Sequence, residues 1–262
     1  MPVVISRVTK QFNDQGFCLI SNHVPTAGLR EIFADIDRVF ERALTTIGQG
    51  GRKWPLDQKY LGLAKLNSTL KSRCYELLGR LQTLHRYILT EEVQQIGESL
   101  FHSALLLDGM MIRIGEPAND RLLPMHQDFG HLSKLNLNVW TALTPSNETR
   151  GGLTIVPGSH KLGRVPHRYE ESPLGQRYHG VSEKSLSGKQ VVTLSMNAGD
   201  TLVFHPYLIH GSAPNRSSEL RWTAICRLNE LSEISYLRDP EAPLHWPQHS
   251  KDLFGDEDGI GS

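Results

Sequence analysis

Two hydrophobic rhythms divide the chain. Up to about residue 103 the apolar positions recur every three to four residues. Leu29, Ile32, Phe33, Ile36, Val39, Phe40 and Leu44 predict one helix, with Thr26 as its N-cap and Gly48 as its stop. Leu70, Cys74, Leu77, Leu78, Leu81, Leu84 and Ile88 predict a second, opening near Ser68. Ahead of both, Phe17-Cys18-Leu19-Ile20 follows a turn-like Asn13-Asp14-Gln15-Gly16 and predicts a short strand. From about residue 104 the pattern changes to short apolar or alternating runs separated by Gly, Pro, Asn and Asp. They fall at 105–107, 111–114, 135–143, 153–156, 191–194, 201–204 and 222–228, the spacing of an all-β sandwich or barrel. Alternation is nearly strict in Leu135 to Trp140, so Asn136, Asn138 and Trp140 share one face, which lines a pocket or meets solvent. The expectation is a single domain over 1–262 that is mainly β with flanking α. It has a helical part over about 1–103 and a β core over about 104–230.

Two segments stand apart from these rhythms. Residues 164–190 mix Arg164, His167, Arg168, Tyr169, Arg177, Tyr178, His179 and Lys184 with prolines and glycines and show no apolar period. A segment this long inside a compact domain reads as a mobile flap or binding segment. Residues 248–262 are polar and acidic and read as a frayed tail.

Composition narrows the class. The 28 basic and 28 acidic residues cancel, which argues against charge-driven binding to nucleic acid or an anionic membrane. No apolar run approaches the roughly 18 residues of a membrane span, and Met1 to Arg7 does not open a secretory signal. Cys18, Cys74 and Cys226 are scattered and odd in number, so neither a disulfide framework nor a zinc site is expected. Cys226 sits in a strand-like run as a small buried side chain. The simplest expectation is a cytoplasmic protein whose partner is a small molecule, with its oligomeric state left open.

The candidate chemistry lies in His126-Gln127-Asp128, answered by His210 and then Arg221. Residues two apart on an extended strand point the same way, so His126 and Asp128 can reach one metal. His210 comes 82 residues after Asp128 and must arrive on another strand. Two imidazoles and one carboxylate on one face of a ferrous ion form the facial triad of non-haem iron oxygenases. Taken alone, His-any-Asp also suits an exposed polar turn, and His131, His160 and His205 compete as ligands. His205 is the nearest rival to His210. Arg221 follows His210 by 11 residues and offers a planar fork for a carboxylate.

The stretch from about Arg113 to Leu228 resembles the phytanoyl-CoA dioxygenase family of Fe(II)/2-oxoglutarate oxygenases. The matching pieces, in order, are Met125-His126-Gln127-Asp128, Trp140-Thr141-Ala142-Leu143, Gly152 through Lys161, Gly199 through His205, and His210-Gly211-Ser212, closed by Asn215 and Arg221. The resemblance implies a double-stranded β-helix, a cupin-like jelly roll, with the N-terminal helices packed on one side. It implies that His126, Asp128 and His210 hold Fe(2+) and that Arg221 holds 2-oxoglutarate, with Trp140, Asn138 and Arg113 as further contacts. O2 would be the second co-substrate and ascorbate a helpful reductant. The implied reaction hydroxylates an unactivated C–H bond of a small polar metabolite or natural-product intermediate, releasing succinate and CO2. Asp128 keeps its carboxylate, which argues against a halogenase. Two rivals share the metal face: a cupin-type isomerase or hydrolase, and a non-catalytic metal or 2-oxoglutarate sensor. Arg221 weighs against the first, which has no need to clamp a dicarboxylate.

Overall fold

The computed structural model describes residues 2–102, 104–117, 123–128, 136–171 and 177–231. Helix α1 (Pro2–Gln15) and strand β1 (Phe17–Ile20) lead into α2 (Thr26–Thr46), α3 (Leu56–Leu66), α4 (Ser68–Leu78), α5 (Gln82–Ile88) and α6 (Glu91–Phe101). The strands β2 (Leu105–Gly115), β3 (Leu123–His126), β4 (Asn136–Ala142) and β5 (Leu153–Ile155) follow. A hairpin of β6 (His167–Glu171) and β7 (Arg177–Val181) and a single turn, α7 (Glu183–Leu186), then interrupt the barrel. It resumes with β8 (Val192–Thr193), β9 (Thr201–Phe204), β10 (His210–Ser212) and β11 (Arg221–Glu230).

Two sheets face each other. The larger has the order β1-β9-β4-β11-β2 and the smaller β3-β10-β5-β8, and all their pairings are antiparallel. From β2 to β11 the chain passes back and forth between the sheets, which makes the expected double-stranded β-helix. Period-two alternation gives each strand of the larger sheet two destinations. Leu137, Val139, Val203, Trp222, Ala224 and Cys226 pack outward with Ile32, Ile36, Phe40, Leu44, Leu78 and Ile88 of the helices. Trp140, Ala142, Leu202 and Phe204 point inward and meet Leu153, Ile155, Met196 and Leu208. Trp222 pins the helical layer to the barrel: Phe33, Phe40 and Tyr60 approach its rings edge-on at 5.8–6.4 Å, and its indole N–H donates to Asp57.

Several local expectations change. Thr26 is the first residue of α2 and caps nothing; the extended Pro25 precedes it. The second expected helix is two, α4 and α5: the chain leaves helical geometry at Leu81, just after Gly79, whose backbone lies so close to β2 that a Cβ there would overlap the Met110 carbonyl. The runs expected at 105–107 and 111–114 are one strand carried through Gly109, whose φ is +71°. Residues 164–190 are not free of the core: Val181 is buried with Val156 and Ile209, and Met125, Val165 and Leu186 pack against them. These apolar residues come from separate elements, so no single period announces them. His131 and the 248–262 tail lie outside the described residues.

Candidate metal centre

The centre is built where β3 ends and β10 begins. His126 and His210 are direct Cα partners across that pair, with ring centroids 4.2 Å apart. Asp128 lies just past the end of β3 and not on the strand expected to carry both residues. Its backbone N–H donates to the Pro206 carbonyl at 2.9 Å, which turns its carboxylate between the two rings. Oδ1 stands 3.7 Å from His126 Nε2 and Oδ2 3.6 Å from His210 Nε2. One ligand atom from each residue falls within 4.8 Å of the other two.

The imidazoles are set for a metal. His126 Nδ1 bonds the Pro124 carbonyl at 2.8 Å and His210 Nδ1 the Leu208 carbonyl at 2.9 Å. A carbonyl only accepts, so each Nδ1 carries a proton, which leaves each Nε2, on the side of Asp128, as the nitrogen free to ligate. Burial, followed by the neighbouring His210, pushes His126 down to about 4 against the upward pull of Asp128. A neutral ring at physiological pH is the ligating form. Two nitrogens and one carboxylate, converging and correctly protonated, fit a divalent iron.

Gln127, between the ligands, fastens their loop. Its backbone N–H donates to His167 Nε2 at 3.2 Å, and its amide nitrogen donates to the carbonyls of Gly163 (2.9 Å) and Tyr207 (2.7 Å). Its amide oxygen accepts from the Val165 N–H at 3.0 Å, so the base of the β6–β7 hairpin is tied to the ligand loop.

Arg221 opens β11 at the other end of the inward face. It is buried, one Nη donates to the Gly151 carbonyl, and its Nε has no partner among the described residues. The guanidinium lies 6.0 Å from the centroid of Trp140. Burial lowers it to about 10, which leaves it charged at neutral pH. Arg113 pairs in register with Thr223 and bonds the Tyr75 hydroxyl. Burial raises the Tyr75 phenol, while Arg113 and Arg221 pull it back. Asn215 donates to the Gly115 and Glu219 carbonyls and shapes the turn before Arg221.

Register then orders the inward face. Thr223, Ile225, Arg227 and Asn229 of β11 stand opposite Ala142, Trp140, Asn138 and Asn136 of β4. Arg227 Nη2 reaches Asp128 Oδ2 at 3.4 Å. Asn138 is level with Arg227 and with Phe204, whose ring lies 4.7 Å from His210.

Every expected site residue is thus placed. His126, Asp128 and His210 converge; Arg221, Trp140 and Arg113 gather with Tyr75; Asn138 stands beside the ligands. His205 is turned away, accepting from the Tyr207 N–H through Nδ1 and lying beside His160 and Phe12. Sequence reasoning missed Arg227 and Tyr75. Arg227 is six residues from Arg221, an even spacing that puts both on one strand face. Tyr75 comes from a helix and carries no such signal. A groove of about 590 Å³ on the helical side, lined by Arg30, Asp37, Asp57, Arg150 and Trp222 among others, includes no triad member.

The comparisons agree with this architecture. The family model described as phytanoyl-CoA dioxygenase (PhyH) matches residues 12–223, and the chain belongs to that family. It is 28% identical over 231 residues to the peroxisomal phytanoyl-CoA dioxygenase of Mus musculus, a match covering 83% of this chain and 66% of the mouse protein. It is 29% identical over 136 residues to the 1-deoxypentalenic acid 11-beta-hydroxylase of Streptomyces exfoliatus, covering 50% of this chain and 48% of that protein. Among solved structures, the epimerase SnoN in complex with Fe3+, alpha ketoglutarate and nogalamycin RO superposes with a TM-score of 0.63 at 18% identity. That match covers 88% of this chain and 85% of SnoN.

Proposed function

We propose that this member of the phytanoyl-CoA dioxygenase family is an Fe(II)- and 2-oxoglutarate-dependent dioxygenase that hydroxylates an unactivated C–H bond of a small polar metabolite or natural-product intermediate. The observation that carries the reading is the pairing of two sites on one inward face. A converging His-Asp-His set can hold a divalent metal, and a buried guanidinium, Arg221, lies at the far end of β11. A metal-dependent isomerase or hydrolase that works without 2-oxoglutarate has no use for the second site. Relatives that include a dioxygenase and an 11-beta-hydroxylase support oxygen insertion.

Bound iron with 2-oxoglutarate and O2 supplies the oxidising chemistry, in which 2-oxoglutarate becomes succinate and CO2 and one oxygen atom passes to the substrate. The chain does the rest. His126 and His210 ligate through Nε2, held by their Nδ1 bonds, and Asp128 supplies the anionic ligand. Arg221 pairs with the distal carboxylate of 2-oxoglutarate and fixes its direction. Trp140 walls that pocket, and Arg113 reaches it beside Tyr75. Asn138 contacts the co-substrate at the metal end. The apolar lining of Leu153, Ile155, Leu202 and Phe204 keeps water from the centre. Ascorbate would serve as the added reductant that keeps bound iron ferrous.

No helix among the described residues is long and apolar enough to cross a membrane. The balanced charge argues against a polyanionic partner, and a small-molecule substrate met in the cytoplasm completes the proposal. The deciding experiment supplies the purified chain with Fe(II), ascorbate and 2-oxoglutarate, assays succinate, and screens candidate substrates by mass spectrometry for a gain of one oxygen. Succinate and a product heavier by one oxygen are expected. Absence of succinate under all conditions would refute the reading. Succinate that never couples to any substrate would leave the sensor.

A further inference from the structure

The inward face of β11 carries a second arginine that the co-substrate does not use. Arg227 lies six residues beyond Arg221, about 20 Å along the strand at ~3.3 Å per residue. It reaches Asp128, a proposed metal ligand, and so lies at the opposite end of this strand face from Arg221, the proposed partner of the co-substrate. Arg227 is 9% exposed, and its Nε has no partner among the described residues. One pairing step further, Asn136 is 1% exposed, and neither its amide oxygen nor its amide nitrogen has a partner among the described residues. The position is a rim: β9 ends at Phe204, level with Asn138, so Asn136 stands past the end of that strand.

A buried amide left without hydrogen bonds destabilises the free protein, and leucine would fill its place better. Such a group next to a reaction centre is most simply a contact waiting for its ligand. Charge indicates which ligand. With a divalent metal, Asp128, Arg227, Arg221 and a 2-oxoglutarate dianion in place, the buried centre keeps at least one net positive charge. A single carboxylate would neutralise it.

We infer that Asn136 and Arg227 form a substrate subsite for a carboxylate, so that the organic substrate is an acid anchored at the rim with a nearby C–H bond presented to the metal. The inference rests on the oxygenase reading above. It adds the anionic class of the substrate and the residues that select it. Arg227 supplies charge and a free N–H, and the Asn136 amide donates to the second carboxylate oxygen, giving the planar group two donors at fixed angles.

The test uses the intact chain loaded with Fe(II) and 2-oxoglutarate. The probes are a panel of aliphatic, aromatic and 2-hydroxy monocarboxylic acids, each paired with its methyl ester. Thermal melting is followed without oxygen, and succinate formation with it. At least one acid should raise the melting temperature and stimulate succinate formation tenfold or more over its ester. Asn136→Leu should melt at or above the wild-type temperature while losing at least tenfold of that acid-to-ester ratio. Asn136→Asp, of the same size but negatively charged, should lose the preference as well. A marked fall in melting temperature for Asn136→Leu in the free protein would show that the amide holds the fold, and would overturn the subsite. So would equal responses to acids and esters, or a panel in which no acid stabilises the loaded chain. If acids stabilise the protein and succinate never forms, the oxygenase reading falls while the carboxylate subsite stands.

Discussion

Replacing Arg221 with alanine separates binding from folding in a way the structure makes quantitative. The guanidinium is buried, and its fall from 12.5 to about 10 corresponds to about 3 kcal/mol of unfavourable burial of the charge. Truncation removes that penalty. It also removes the charged bond to the Gly151 carbonyl, worth about 1.5–3 kcal/mol, and the contact over Trp140, worth about 0.5–2 kcal/mol. The terms nearly cancel, so the free protein should keep its stability to within about 2 kcal/mol. Binding of 2-oxoglutarate has no such compensation. Loss of one charge-assisted bond weakens affinity by roughly 10- to 150-fold, and loss of the whole fork by more. Calorimetric titration of 2-oxoglutarate into the metal-loaded protein without oxygen should therefore show at least a tenfold loss, with metal affinity near wild type. Arg221→Lys should recover only part, because an ammonium does not reproduce the fork. Unchanged 2-oxoglutarate affinity in Arg221→Ala would refute the assignment and pass the role to Arg113.

Three further outcomes are expected. His126→Ala or Asp128→Ala should abolish metal binding and turnover with an unchanged circular dichroism spectrum, and His205→Ala should keep its metal; a dialysed His126/Asp128 double variant still holding one equivalent by elemental analysis would disprove the triad. Gly79→Ala forces a Cβ into the Met110 carbonyl and should cost about 1–3 kcal/mol in urea denaturation; a loss under about 0.5 kcal/mol would mean the break between α4 and α5 yields freely. His205 is pushed down to about 4 by burial and then by His160, so the unfolded chain takes up a proton near 6.5 that the folded chain refuses. Its contribution is complete above about pH 6.5 and shrinks by up to about 3 kcal/mol as pH falls toward 4; identical pH slopes for wild type and His205→Gln would rule this out.

What was legible in the sequence follows from how far each residue's role is determined by its own strand. A β sandwich or barrel could be read because short apolar runs, clearly alternating in β4, are parted by turn residues, and the resemblance to the family narrowed it to a jelly roll. The triad could be read because its three residue types stand at strand ends in a recognisable order. The β6–β7 hairpin could not: Val165, Val181 and Leu186 reach one apolar cluster from three separate pieces of chain. Nor could the demand for glycine at position 79, which β2 sets from more than thirty residues away. Asp128 shows the same dependence on distant chain. Strand geometry was invoked to aim it at the metal, and the bond that aims it comes from Pro206, after β9.

The two asparagines of β4 carry the argument furthest. By alternation alone they fit a pocket or a solvent face equally well, because polarity on one face of a strand is what either demands. The structure decides between these by burying every residue of β4 on both faces. Once solvent is gone, an amide without a partner has to be explained by something that binds. The same logic applies to Arg221 and Arg227, whose even spacing was visible and whose burial was not. On the readings proposed above, Arg221 marks the co-substrate end of this buried strand face and Arg227, beside the ligand Asp128, the substrate end. Substitutions at Arg221 should therefore be read first in 2-oxoglutarate affinity, and those at Asn136 in the choice between an acid and its ester.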